Sequence, residues 1–282
     1  MLGRFEVEKE LGRGAMGIVY LARDTSTGEA IAIKTMALAE EFDEDELAEV
    51  KRRFFREADA AEHLQHPNIV NVFNTGDDNG LAYIAMEFLH GHDLSRYCYP
   101  DNLLSVQDVI DIIINAASAL NYAHEKQVVH RDIKPANIMY LPEIESIKIT
   151  DFGIARVAET VVTRTGRIFG TPSYMSPEQL YGRPVDGRSD LFSLGVTFYE
   201  LMTGKLPFEG ESLAELIDNI AGNRYVTIEA ANPARAEIAP GTSKIIEKAL
   251  HKNVEKRYQS GAEMIQDLEA CSDALAKRLI LS

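Results

Sequence analysis

The chain has 282 residues, 45% of them hydrophobic and 26% charged, with a formal net charge of −15. That length and balance suit a large buried core and exclude a disordered chain. The acidity excludes a sequence-independent grip on nucleic acid, which needs a basic surface, and favours the approach of basic substrates. In chain order, the first third reads mostly as strands. Residues 5–7 lead to a glycine-rich turn, 18–22 follow it, and 30–34 form a short β-rich run after the turn signal Ser26-Thr27-Gly28. One helix interrupts them. Asp43 and Glu46 fit a capping box, and Leu47, Val50, Phe54, Ala58 and Ala61 recur at helical spacing to about Gln65, where His66-Pro67-Asn68 stops the run. Strands are predicted at 69–73 and 81–87, separated by a loop at 76–80. Beyond Glu87 the spacing predicts helices over 105–126, 189–203, 212–221, 242–250 and 260–279, with a small hairpin at 138–140 and 147–150. Strands followed by helices is an α+β pattern.

The two cysteines, Cys98 and Cys271, lie far apart without metal-ligand spacing, which reads as free thiols in a reducing compartment. The longest apolar run, 109–123, is too short to span a bilayer and is interrupted by Asp111, Asn115, Ser118 and Asn121. Residues 1–5 lack an apolar signal core. The expectation is a cytoplasmic segment without membrane contact, either complete or the cytoplasmic part of a longer anchored protein.

His130-Arg131-Asp132-Ile133-Lys134-Pro135-Ala136-Asn137 concentrates the chemistry. Asp132 can take a proton from a hydroxyl nucleophile, Lys134 can neutralise a moving phosphoryl group, and Asn137 offers an oxygen to a divalent cation. Asp151, in Asp151-Phe152-Gly153, offers a second. Phosphoryl transfer asks for positioning and charge neutralisation more than covalent chemistry, and these residue types supply both. Residues 12–19 fit G-x-G-x-x-G-x-V, whose glycines let backbone N–H groups approach phosphates closely. Alone, that pattern also fits a glycine turn with no ligand. A dinucleotide-binding version needs a helix directly afterwards; a strand follows here, which favours a hairpin folded over ATP. Ile31-Ala32-Ile33-Lys34 ends an apolar strand in a lysine, in isolation a snorkelling surface residue.

Together these stretches resemble the eukaryotic-type protein kinases: the loop H-R-D-x-x-x-x-N, the V-A-I-K strand, D-F-G, and Ser176-Pro177-Glu178 as a variant of A-P-E. The wording of 133–139, 151–156 and 175–179 is similar to the bacterial branch, and the resemblance runs from about Phe5 to about Leu268. It implies a two-lobed α+β fold, a strand-rich N-lobe over 1–88 and a helical C-lobe over 89–282 forming one kinase domain. It implies transfer of the ATP γ-phosphoryl group to Ser/Thr hydroxyls of proteins, its own included, with Mg²⁺ or Mn²⁺. In that family pattern Asp132 is the base (His130 being the alternative), Lys134 the γ-phosphate partner, and Asn137 and Asp151 the metal ligands. Lys34 pairs with Glu57 to hold the α- and β-phosphates. Glu57 lies beside the helix's apolar stripe, whereas Glu49 is too near the helix start and Glu62 sits about 140° further round. Gly12, Gly14 and Gly17 cover the phosphates, while Leu11, Val19, Ala32 and Met139 sandwich the adenine. Met86 stands behind the base and the backbone of Glu87 and Leu89 binds its edge; Asp93 either reaches the ribose or belongs to a plain linker. His130 and Phe152 pack to fix geometry, Glu178 pairs with Arg257, and Asp190 bonds the catalytic-loop backbone. Lys134 together with Thr171, in the acceptor loop, marks Ser/Thr rather than tyrosine specificity.

Thr163-Arg164-Thr165 is either a solvated loop or a regulated one. Arg131 and Arg156 are placed to receive a phosphothreonine, whose charge of roughly −2 would order the segment. Autophosphorylation at Thr163, Thr165 or both is therefore expected. A pseudokinase would typically lack the lysine, the base or the metal carboxylate, and all three are present. A small-molecule phosphotransferase on this fold lacks a long segment ending in S-P-E. By resemblance, a homodimer for trans-autophosphorylation is also expected.

Overall fold

The strand-rich first third forms one antiparallel sheet of β1 (Phe5–Gly14), β2 (Gly17–Asp24), β3 (Ala30–Met36), β4 (Val72–Asp78) and β5 (Leu81–Glu87), ordered β1-β2-β3-β5-β4. The computed structural model describes residues 1–14, 17–38, 44–78, 80–152 and 172–281, with side chains 44–46 and 279–281 left aside; Asp43 and Glu46 of the expected capping box lie outside that description. Successive side chains of a strand point to opposite faces. Ile31 and Ile33 therefore join Phe5, Ala22, Tyr83 and Ala85 on one face, while Ala32 joins Ile84 and Met86 on the other. Lys34, in step with Ala32, is brought to that second face, which α1 (Glu44–Glu62) covers with Val50, Phe54 and Ala58. Phe54 is fully buried there, a contribution on the order of 1.5–3 kcal/mol.

β4 begins at Val72, three residues later than the sequence pattern predicts, and runs through the predicted loop to Asp78. The backbone of 68–70 has another partner. A second sheet, β6 (His92–Asp93), β7 (Ile138–Leu141) and β8 (Ser146–Ile149), lies beyond the linker 88–91. Asn68 donates from Nδ2 to the Ile147 carbonyl at 2.9 Å, Ile149 N–H donates to Asn68 O at 2.8 Å, and Val70 N–H donates to Ile149 O at 2.9 Å. Ile69 and Val70 are buried, as their hydrophobicity suggests, but they dock on β8 instead of extending β4.

The helical part is built on α2 (Val106–Glu125), α3 (Pro177–Leu180), α4 (Gly187–Thr203), α5 (Leu213–Gly222), α6 (Ile228–Ala231), α7 (Pro233–Ile238), α8 (Gly241–Ala249) and α9 (Gly261–Leu281). Ser105 starts α2 by accepting from Asp108 N–H, and Val109, Ile113, Ala116, Leu120 and Ala123 form its buried face. α4 is buried on nearly every side, as a helix at the centre of a core must be. It is capped by Asp186 and ends at Gly204, whose φ of +71° suits glycine. The short helices α6 and α7 escape a periodicity search; the cap of α7, Asn232 followed by Pro233, is its legible signal. No described helix is long and apolar enough to cross a membrane. Cys98 and Cys271 are free and buried.

One ion pair closes this core. Both Glu178 oxygens accept from Arg257, Oε1 from Nη1 at 2.7 Å and Oε2 from Nη2 at 2.8 Å, and Ser189 Oγ donates to Oε1. Burial opposes ionisation of Glu178, but the guanidinium and the serine hydroxyl outweigh it and hold the carboxyl below the usual glutamate value. Such a depressed carboxylate stabilises the fold above its unfolded pKa of about 4.3, and the contribution is lost as pH falls through the lower folded value. Arg257→Met should therefore cost about 3–5 kcal/mol in urea unfolding near neutrality, because Glu178 stays buried without its cation. The gap from wild type should narrow once pH drops below about 4.

Candidate active site

The loop from His130 to Asn137 is set by a buried carboxylate. Asp190, in the first turn of α4, accepts His130 N–H on Oδ2 at 2.8 Å and Arg131 N–H on Oδ1 at 2.7 Å, and its Oδ2 lies 2.8 Å from His124 Nε2. Burial opposes its ionisation, but His124, His130 and the Arg131 N–H outweigh it, so the carboxyl titrates below its ordinary range. These bonds hold Arg131 at φ +70°, a left-handed conformation that non-glycine residues adopt only when their surroundings impose it. Gln179 of α3 adds a bond from Nε2 to the Arg131 carbonyl at 2.8 Å. His130 is fully buried, with Nε2 2.7 Å from the Thr150 carbonyl and its ring edge-on to Phe152 at 4.6 Å between centroids. Its other nitrogen, Nδ1, is 3.2 Å from Asp132 N.

Beyond that anchor the polar groups run as one string. Lys134 Nζ lies 2.7 Å from Asp132 Oδ2, and Asn137 Nδ2 donates to both Asp132 Oδ2 at 2.9 Å and Asp132 O at 2.7 Å. The Asn137 carbonyl accepts Thr150 N–H at 2.9 Å, which places Asp151 next in line. Asp151 is also left-handed, at φ +64°, and its Oδ2 meets Lys34 Nζ at 2.9 Å. Lys34 from the sheet thus meets Asp151, and the cluster of Asp132, Lys134 and Asn137 is tied to the residue before Asp151 by one backbone hydrogen bond.

Glu57 does not join Lys34 here. The lysine's ion pair is with Asp151, while Glu57 Oε1 accepts from Arg56 Nη2 at 3.1 Å. Gly14 pairs with Gly17 at the β1–β2 turn; Gly17 has φ +132°, and a Cβ there would collide with the Thr35 carbonyl, whereas Gly12 and Gly14 border open space. Leu11 is exposed, and Val19 stands opposite Lys34 in the β2–β3 register. Ala32 and Met86 are buried side by side across β3 and β5, and Met86 shares a cavity of about 20 Å³ with Ala58, Val70, Asp151 and Phe152. Leu89 packs partly buried against the sheet core. Met139 pairs with Asp93 across β6 and β7, and Asp93 Oδ1 caps the following turn by accepting Ser95 N–H at 2.9 Å. Gly153, Arg156, Thr163, Thr165 and Thr171 lie outside the described residues. Sequence reasoning overlooked Gln179 and His124, whose roles arise only from contacts distant along the chain.

A carboxylate with an adjacent lysine and asparagine, and a second lysine paired to a second carboxylate, are the residue types that nucleotide-dependent phosphoryl transfer asks for. The comparisons agree. The chain matches the family described as protein kinase domain over residues 5–268, and it belongs to that family. It is 40% identical over 280 residues to serine/threonine-protein kinase PknB of Mycolicibacterium smegmatis, covering 94% of this chain and 42% of that protein. It is 36% identical over 273 residues to serine/threonine-protein kinase PrkC of Bacillus subtilis, covering 96% of this chain and 41% of that one. The chain thus spans less than half the length of these two relatives. Among solved structures it superposes on Rad53 1-466 in complex with AMP-PNP with a TM-score of 0.78 at 25% identity, covering 94% of this chain and 64% of that one.

The glycine hairpin yields a direct test. Gly17→Ala should lower stability by about 1–3 kcal/mol, since it adds both a disfavoured φ and a collision. Gly12→Ala and Gly14→Ala should stay within about 0.5 kcal/mol, and thermal unfolding of the three variants separates them.

Proposed function

We propose that this domain transfers the γ-phosphoryl group of ATP to Ser or Thr hydroxyls of proteins, with 1–88 as its N-lobe and 89–282 as its C-lobe. The observation that carries the reading is the shared grip on Asp132: Lys134 and Asn137 both bond its Oδ2, and Asn137 leads through Thr150 to Asp151. Asp132 orients the acceptor hydroxyl and takes its proton on the carboxylate; Lys134 neutralises charge on the transferring group. Lys34, from the sheet, faces the α- and β-phosphates, with Glu57 as its partner when the phosphates are engaged. Leu11, Val19, Ala32 and Met139 enclose the adenine, Met86 backs it, and the 87–89 backbone binds its edge. The Asp93 carboxylate already caps a turn through Oδ1, which leaves Oδ2 for the ribose.

The donor set fits a magnesium ion. Asn137 uses its amide nitrogen on Asp132, leaving Oδ1, and Asp151 uses Oδ2 on Lys34, leaving Oδ1. Among the described residues no group of three or more His, Cys, Asp or Glu could hold a metal alone. One amide and one carboxylate oxygen, completed by phosphate and water, is the partial protein ligation that Mg²⁺ prefers, and Mn²⁺ would accept the same oxygens. Bound there, the ion would supply neutralisation of phosphate charge.

Thr163 and Thr165 are the proposed autophosphorylation sites, with Arg131 and Arg156 receiving the phosphate and Thr171 shaping the acceptor pocket. Trans-phosphorylation within a homodimer fits that scheme. A cytoplasmic setting fits two free, buried thiols.

Asp132→Asn should lower turnover by about 10²–10⁴-fold while calorimetry shows ADP binding unchanged; full turnover in labelled-ATP assays would refute the base assignment. Replacing Thr163 and Thr165 together by alanine should strongly reduce activity and remove phosphothreonine from that loop in mass spectra. Wild-type rates in the double variant would exclude activation through these residues.

A further inference from the structure

Lys148 has no part in the reading above, yet it stands between the two ends of the nucleotide site. β8 turns Ile147 and Ile149 into the core, both fully buried, so alternation directs Lys148 to the other side. There Nζ donates to Glu87 Oε1 at 2.6 Å and to the Ile69 carbonyl at 3.3 Å. The same Glu87 oxygen accepts Asn71 N–H at 2.7 Å, and Glu87 N–H donates back to Asn71 O at 3.0 Å. One carboxylate oxygen therefore fastens three segments: the end of β5, the loop before β4, and β8. A lysine on a short strand is ordinarily a solvated stem. This one is 15% exposed and its partner 22%, so the charged hydrogen bond forms with little competing water.

The two ends of that bond have different tasks. Glu87 opens the linker assigned to the adenine edge. β8 delivers Asp151, which continues its strand through Thr150 and meets Lys34 at 2.9 Å. The span between a nucleotide's base and its phosphates is limited by its covalent geometry. A site that holds its two recognition ends at a constant separation avoids the cost of ordering them on binding.

We propose that Lys148 is a positioning residue: by clamping β8 to Glu87 it keeps the Asp151 carboxylate in register with the adenine-binding linker, and so sets affinity for magnesium-bound nucleotide. The proposal rests on the reading of Asp151 and Glu87 given under Proposed function.

Lys148→Met removes the charge and keeps most of the stem. Calorimetry with ADP and Mg²⁺ should show binding weakened by about tenfold, with the KM for ATP rising in parallel, while adenosine, which touches only the base end, binds as to wild type. Glu87→Gln should weaken magnesium-ADP in the same way, and the double variant should be no worse than either single one, since one strut is lost in each case. Measurements are made well below each variant's melting temperature, so a general loss of stability does not mimic the result. Wild-type affinity for magnesium-ADP in Lys148→Met, an equal loss for adenosine, or additive single effects would each overturn the strut while leaving the kinase reading intact. A wild-type protein that neither binds nucleotide nor phosphorylates would overturn that reading, and the strut with it.

Discussion

The arrangement depends on one carboxylate that water does not reach. Asp190 gathers two backbone donors from neighbouring residues of the loop 130–137 and a histidine from α2. Its burial makes this bonding obligatory, because an ionised carboxyl in a core must be satisfied. The consequence for the loop is geometric. Arg131 is held left-handed, the chain reverses there, and Asp132 emerges next to Lys134 and Asn137. α4 is buried on nearly every side, so the loop is anchored to a helix at the centre of the core.

Among the described residues, the sheet and the helical part are joined by hydrogen bonds, an ion pair and ring packing. Residues 68–70 leave β4 and bond β8, Phe152 packs on His130, and Lys34 reaches Asp151. Gly12 and Gly14, by contrast, border open space. The bond from Lys34 to Asp151 joins a cation on the sheet to a carboxylate that follows β8.

Much of this was legible along the chain, and for physical reasons. Alternation placed Lys34 at the end of an apolar strand, and helical spacing found α1, α2, α4 and α9, because buried faces repeat at fixed periods. The short stretch 130–137 could be read because its polar groups are close in sequence and bond one another. What escaped reading depends on contacts between distant segments. The start of β4 was misplaced because Ile69 and Val70 look equally suited to either sheet, and the choice is made by Asn68 bonding Ile147. Gln179 and His124 carry no pattern of their own; their importance appears only when Arg131 and Asp190 are beside them. The Lys34–Asp151 contact was equally hidden, since a sequence supplies candidate charges without saying which pair meets.

The buried cysteines have a practical consequence. Burial pushes the Cys98 thiol up, with Glu200 adding to the effect, and burial alone raises that of Cys271. Both remain protonated near neutrality and are packed out of reach, so alkylating reagents find no ready nucleophile on the native chain. A single cysteine introduced on the surface would accept a fluorophore or spin label selectively, without first removing the natural ones.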